Sequence, residues 1–150
     1  MDRTMMMYAR RAAIRYNSGD YANAIDDFNK AIEQQPTNPK LYYGRGAAYH
    51  KMGDYDRSIL DCDQAIKLKP DFADAYYARA NAYYAIDDYD RAIANYTKAI
   101  ELKPNFAEPY LWRGYSYTLT GDHVKAIADR EKALKLKPQL AFNRRCRRRT

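Results

Sequence analysis

Cysteine, histidine and tryptophan are scarce in this 150-residue chain, which holds two Cys (Cys62, Cys146), two His (His50, His123) and one Trp (Trp112). Two cysteines make no disulfide framework, so a reducing, cytoplasmic setting is the default expectation. His50 and His123 stand far apart and belong to no metal-ligand spacing, so no metal and no cofactor is expected. No apolar run reaches the roughly 18 residues of a membrane-spanning helix. The opening MDRTMMMYARR has too short an apolar patch for a secretory signal. No phosphate-binding loop or nucleophile elbow occurs. Gly44-Arg45-Gly46 lacks a third glycine and a preceding strand, and Asn95-Tyr96-Thr97 falls in mid-helix, where no glycan is expected. The carboxylate pairs Asp26-Asp27, Asp61 with Asp63, and Asp87-Asp88 sit at turns or on second helices, where capping and ion pairing account for them. The chain therefore reads as no enzyme, with no small-molecule substrate.

Acidic charge is also short of basic. The formal net charge is +7, but Arg144, Arg145, Arg147, Arg148 and Arg149 supply five of those charges, leaving a nearly neutral body and a basic tail. What the chain has in quantity is tyrosine, 16 in all, and a period. Four units of 34 residues, 5–38, 39–72, 73–106 and 107–140, superimpose place by place. The fourth place is Tyr8, Tyr42, Tyr76 and Tyr110; the eighth is Ala12, Gly46, Ala80 and Gly114. Asp20, Asp54, Asp88 and Asp122 recur at the sixteenth place, and Ile25, Ile59, Ile93 and Ile127 at the twenty-first. Ala31, Ala65, Ala99 and Ala133 mark the twenty-seventh, and Pro36, Pro70, Pro104 and Pro138 the thirty-second.

This pattern of small, aromatic and proline places resembles the tetratricopeptide repeat (TPR) family. The resemblance implies an all-α fold, a right-handed α-solenoid of four helix-turn-helix repeats. A single domain over residues 1–142 would be followed by the arginine-rich tail, 143–150. The punctuation agrees. A helix over about 21–34 is stopped by Pro36, and Asn38-Pro39 reads as a cap with proline at the first helical position. Gly19, Gly53 and Gly121 permit the left-handed turn between helices, with Asp87 in their place in the third unit.

The seventh place is arginine in every unit: Arg11, Arg45, Arg79, Arg113. In an antiparallel helix pair it faces the twenty-third place, which holds Asp27, Asp61, Asn95 and Asp129. These are expected to form structural pairs within each unit. Cys62 occupies a packing place and reads as a small core residue. His50 reads as a surface residue. Where other units have packing residues, mostly aromatic, the first has Arg15 and the last has His123 and Arg130, so the array is expected to begin and end within this chain.

In the family the first helix of each unit lines the concave face. The residues so placed include Tyr16, Tyr43, Tyr77, Asn81, Tyr84, Leu111, Trp112, Tyr115 and Leu119. Many rings and few charges imply a groove for a peptide segment of a protein partner, the chain acting as scaffold or adaptor. Trp112 and Tyr115 are the expected anchors, and Trp112→Ala is expected to leave melting nearly unchanged. The subclass that clamps chaperone C-terminal carboxylates needs Lys, Asn and Arg at five places. Here those places hold Ala9, Ala13, Gly44, Asp74 and Ala78, or one unit on Tyr43, Ala47, Ala78, Glu108 and Trp112. A carboxylate clamp is not expected. The alternative is an adaptor whose arginine tail binds nucleic acid or an acidic membrane or protein surface. Leu134, Leu136, Leu140 and Phe142 lie beyond the last packing place, so a monomer with a weak, salt-promoted symmetric dimer through the fourth unit is expected.

Overall fold

The computed structural model describes residues 3–141, so Phe142, Cys146 and the five tail arginines lie outside it. Eight α-helices follow in order: α1 Arg3–Asn17, α2 Tyr21–Gln34, α3 Pro39–Lys51, α4 Tyr55–Leu68, α5 Ala73–Ala85, α6 Tyr89–Leu102, α7 Ala107–Thr120 and α8 His123–Leu136. A short 3₁₀ turn, Pro138–Ala141, packs on α8. Odd and even helices pair as hairpins, and each even helix packs on the next odd one, giving an α-solenoid. No strand occurs among the described residues, and none of their helices is long and apolar enough to cross a membrane.

Small residues set how closely the helices approach. Ala12, Ala80, Ala24, Ala92 and the four alanines of the twenty-seventh place are fully or almost fully buried. At the eighth place Gly46 and Gly114 have no room for more, since an added Cβ would lie 3.1 Å from the Asp61 Cβ and 3.1 Å from the Ala126 carbonyl oxygen. Between the helices of each hairpin the chain turns through one left-handed residue: Gly19 (φ 84°), Gly53 (φ 79°), Asp87 (φ 61°) and Gly121 (φ 92°). The aspartate that follows caps the next helix. Asp54, Asp88 and Asp122 accept from the backbone N–H of Arg57, Arg91 and Lys125, whereas Asp20 accepts from the Asn23 side chain. Asn38 caps α3 through the Lys40 N–H.

The fourth-place tyrosine has a use that composition does not reveal. Tyr42 and Tyr110 each donate to the carbonyl of the preceding unit's proline, Pro36 at 2.9 Å and Pro104 at 3.1 Å. The hydroxyl thus ties one hairpin to the next.

Several residues sit differently from the expectation. Arg15 donates from Nη1 to the buried Asp27 carboxylate at 2.7 Å, because the guanidinium folds inward along the hairpin instead of facing solvent. Arg130 is half-buried over the Tyr115 ring and donates to Thr118 Oγ1 at 2.7 Å. The Nε2 of His50 is buried with no hydrogen-bond partner among the described residues, where a surface imidazole would be wet. Ile127 is 57% exposed against 8% for Ile25, since no further α-helix among the described residues follows α8 to cover it.

Candidate functional site

The arginines of the seventh place rise along the solenoid on α1, α3, α5 and α7. Three of them clamp a carboxylate with two nitrogens. Arg11 reaches Asp27 at 2.7 and 2.6 Å, Arg45 reaches Asp61 at 2.8 and 2.6 Å, and Arg113 reaches Asp129 at 2.7 Å twice. Arg79 donates from Nε to Asn95 Oδ1 at 2.8 Å. The acids are buried. The hydrogen bonds from Arg11 hold the Asp27 carboxyl below the usual carboxylate range, against the opposing pull of burial. The remaining terminal nitrogen turns to the unit before. Arg45 Nη1 meets Asn29 at 2.7 Å, Arg79 Nη1 meets Asp63 at 2.7 Å, and Arg113 Nη1 meets Thr97 at 3.0 Å. Arg45 and Arg113 thus spend all three guanidinium nitrogens inside the solenoid, and Arg79 spends Nε and Nη1. Sequence reasoning missed the second bond, although polar acceptors at the twenty-fifth place (Asn29, Asp63, Thr97) signal it.

The aromatic residues divide into two groups. Tyr16, Tyr43 and Tyr77 are half-buried against the core clusters of their units. Tyr43 lies 5.2 Å from the Phe72 ring, and Tyr77 lies 5.9 Å from Tyr96 and 5.0 Å from Phe106. Burial pushes the Tyr43 phenol up to about 12 and raises that of Tyr77. These rings chiefly cover neighbouring helices. Asn81 is committed too, its Oδ1 accepting from the buried Tyr96 hydroxyl at 2.7 Å.

The second group spans the third and fourth units. Tyr84 and Trp112 meet edge to face at 5.4 Å, and Trp112 and Tyr115 do the same at 5.5 Å. All three remain partly open to solvent, with Leu111 half-buried and Leu119 exposed on the same helix. Trp112 also packs on the Ala80, Ala92 and Tyr96 cluster. Its truncation should therefore cost stability as well as surface, where the sequence suggested little change in melting. Nearby charge is spent, with Glu108 paired to Lys137. The buried Cys62 thiol is pushed up to about 12 by desolvation, which leaves it inert as a nucleophile.

A family model described as TPR repeat matches residues 12–53 and 80–121. Models described as tetratricopeptide repeat match residues 39–72, 62–94 and 107–140. Among solved structures, the chain is similar to MamA at 27% identity, covering 92% of this chain and 81% of that one, with a TM-score of 0.83. It is similar in fold to the first TPR of Spaghetti (RPAP3) bound to the HSP90 peptide SRMEEVD, at 24% identity over 81% of this chain and 96% of that one, TM-score 0.77. It also shares its fold with YrrB, described as a TPR protein with an unusual peptide-binding site, at 19% identity over 96% of this chain and 74% of that one, TM-score 0.79. No curated protein matches the chain.

Proposed function

The chain belongs to the tetratricopeptide repeat family, a family of protein–protein interaction modules, and we propose that it holds a peptide segment of a partner protein across the face made by α1, α3, α5 and α7. The observation that carries this is the edge-to-face run of Tyr84, Trp112 and Tyr115. Tyr84 and Trp112 pack on the Ala80, Ala92 and Tyr96 cluster, Tyr115 packs on Trp112 and under Arg130, and all three stay partly open. Pre-set aromatic surface loses little entropy on binding and is what energetically dominant contacts are made of. Trp112 and Tyr115 are the anchors, with Tyr84 and Leu119 extending the apolar strip. Tyr77 packs beneath the strip on the same cluster as Tyr84 and Trp112, and Tyr16 and Tyr43 continue the face into the first two units.

The RPAP3 neighbour's peptide is acidic, but a terminal carboxylate suits this face poorly. In either register one of the places that a carboxylate clamp fills with a cation holds an acid, Asp74 or Glu108. The seventh-place arginines are already bonded to the solenoid. The segment that fits is an apolar or aromatic stretch within a chain.

Selection of short random peptides against the protein tests this, because Trp112 is the sole tryptophan and its fluorescence reports on the strip. Selected peptides should shift Trp112 emission. Tyr115→Ala should weaken them by about tenfold or more, the cost of removing a dominant contact, while Leu60→Ala on the α4 surface leaves them unchanged. Binders that neither perturb Trp112 nor notice Tyr115→Ala would overturn the reading.

A further inference from the structure

Each junction inside the solenoid is built from the same two half-surfaces, and the two ends of the described chain each present one of them. On the leading side of a unit, the third and tenth places meet the preceding hairpin. Leu41, Ala48, Ala75 and Ala82 are buried there, and Leu41 packs with Phe28 and Ala31 of the first unit. In α1 the same places are Met7 and Ile14, 49% and 68% exposed. On the trailing side, the isoleucine of the twenty-first place is buried or half-buried in three units and 57% exposed as Ile127 in the fourth.

Charge repeats the message. Every junction carries a hydrogen bond from a seventh-place arginine Nη1 to the twenty-fifth place of the unit before. Arg11 bonds Asp27 through Nε and Nη2, and no bond from its Nη1 is found among the described residues. Glu131, at the twenty-fifth place of the fourth unit, is exposed and makes no ion pair among them. One end offers the unused donor, the other the unused acid.

We propose that a second copy of this chain docks head to tail, α1 of one copy taking the place of the next odd helix on α8 of another. Met7 and Ile14 then cover Ile127 and the α8 surface beside it, and Arg11 Nη1 reaches Glu131 as in the internal junctions. Because the two surfaces differ, the contact is heterologous. Repeating the unit-to-unit step continues the solenoid rather than closing a ring, so association is open-ended. Two features keep it weak. Each copy carries +7, and Arg10 meets Arg130 across the seam, at the places where Gly44 meets Phe28 inside the chain.

Sedimentation of the full chain over a range of concentrations, at physiological salt, tests the pairing. The sedimentation coefficient of the wild-type chain should climb without a plateau at dimer. Ile14→Arg removes only the head and Ile127→Arg only the tail, and both residues are exposed, so each variant should fold normally and run as a monomer. An equal mixture of the two should return a species that stops at dimer, from the one intact head meeting the one intact tail. A wild-type chain that stays monomeric at every concentration overturns the proposal, as it would if the chain's own tail covered α8. So does a dimer that survives Ile14→Arg, the signature of symmetric pairing through the fourth unit, or a mixture that stays monomeric.

Discussion

Gly44 is small because Phe28 occupies the space its side chain would need. An added Cβ would lie 2.5 Å from the Phe28 Cζ and 2.7 Å from Cε1, and that ring is itself buried. Gly44→Ala should gain up to about 1 kcal/mol of helix propensity and lose about 1–3 kcal/mol to overpacking, a net loss in urea unfolding. In a Phe28→Leu background the clash disappears, and Gly44→Ala should become neutral or stabilising. A loss of the same size in both backgrounds would show that the ring is not the cause. The arginine clamps are a second residue-scale case. Arg45→Leu leaves Asp61 buried and without its guanidinium, which should cost about 3 kcal/mol, and Asp61→Leu added to it should recover part of that. A double-mutant cycle with no coupling would mean that the two groups are held apart in solution. Asp27 gives the pH form of the argument. Its carboxyl titrates below the ordinary 3.8, so the folded chain binds fewer protons than the unfolded one. That stability is complete above the unfolded value and is lost as pH falls through the lower, folded value. The melting temperature should therefore drop on acidification below about pH 4, with a shallower slope in Asp27→Asn. Equal slopes would remove Asp27 from the account.

At the scale of the element, the helices were legible because their punctuation repeats. Pro at the thirty-second place and Asp at the sixteenth mark starts and stops four times over, with a glycine before the Asp in three of the four units, and α2 runs over Tyr21–Gln34 as those signals imply. What was not legible depends on where side chains reach across elements. The Tyr42 and Tyr110 hydroxyls bond to prolines of another hairpin, and Arg15 folds in to Asp27; no local pattern encodes either. Asn81 is the same lesson at the candidate site, since its place put it on the concave face while its oxygen accepts from the Tyr96 hydroxyl. The turns allow a graded test. Gly53 has φ 79° and nothing within 4 Å of an added Cβ, so only backbone strain opposes substitution. Gly53→Ala should cost about 1 kcal/mol. Gly53→Asp should cost about half as much, because aspartate tolerates the left-handed region, as Asp87 does at φ 61° in the third unit. Equal costs would mean that strain is not what selects the residue.

For the molecule as a whole, the seams between hairpins matter as much as the hairpins. Each seam combines an apolar contact with an arginine bridge, and two of them add a tyrosine bond to the preceding proline. The period revealed that hairpins stack but not what fastens them, because the bridging guanidinium spends its other nitrogens inside its own unit. In such an array, stability is a sum of unit terms and nearest-neighbour terms. The helices α3 to α6 belong to units with a neighbour on both sides, while α1 and α8 belong to units with one. In dilute protein, amide exchange should be slowest in α4 and α5, which face each other across the middle seam, and fastest in α1 and α8. Arg79→Met removes the bridge to Asp63 at that seam, together with the bond to Asn95, while keeping an unbranched side-chain stem. It should cut protection in α4 and α5 most, and lower the first two units and the last two by unequal amounts. If α1 and α8 exchange as slowly as the middle helices, or Arg79→Met lowers every helix alike, the chain opens as one block and the seams are not where its cooperativity resides.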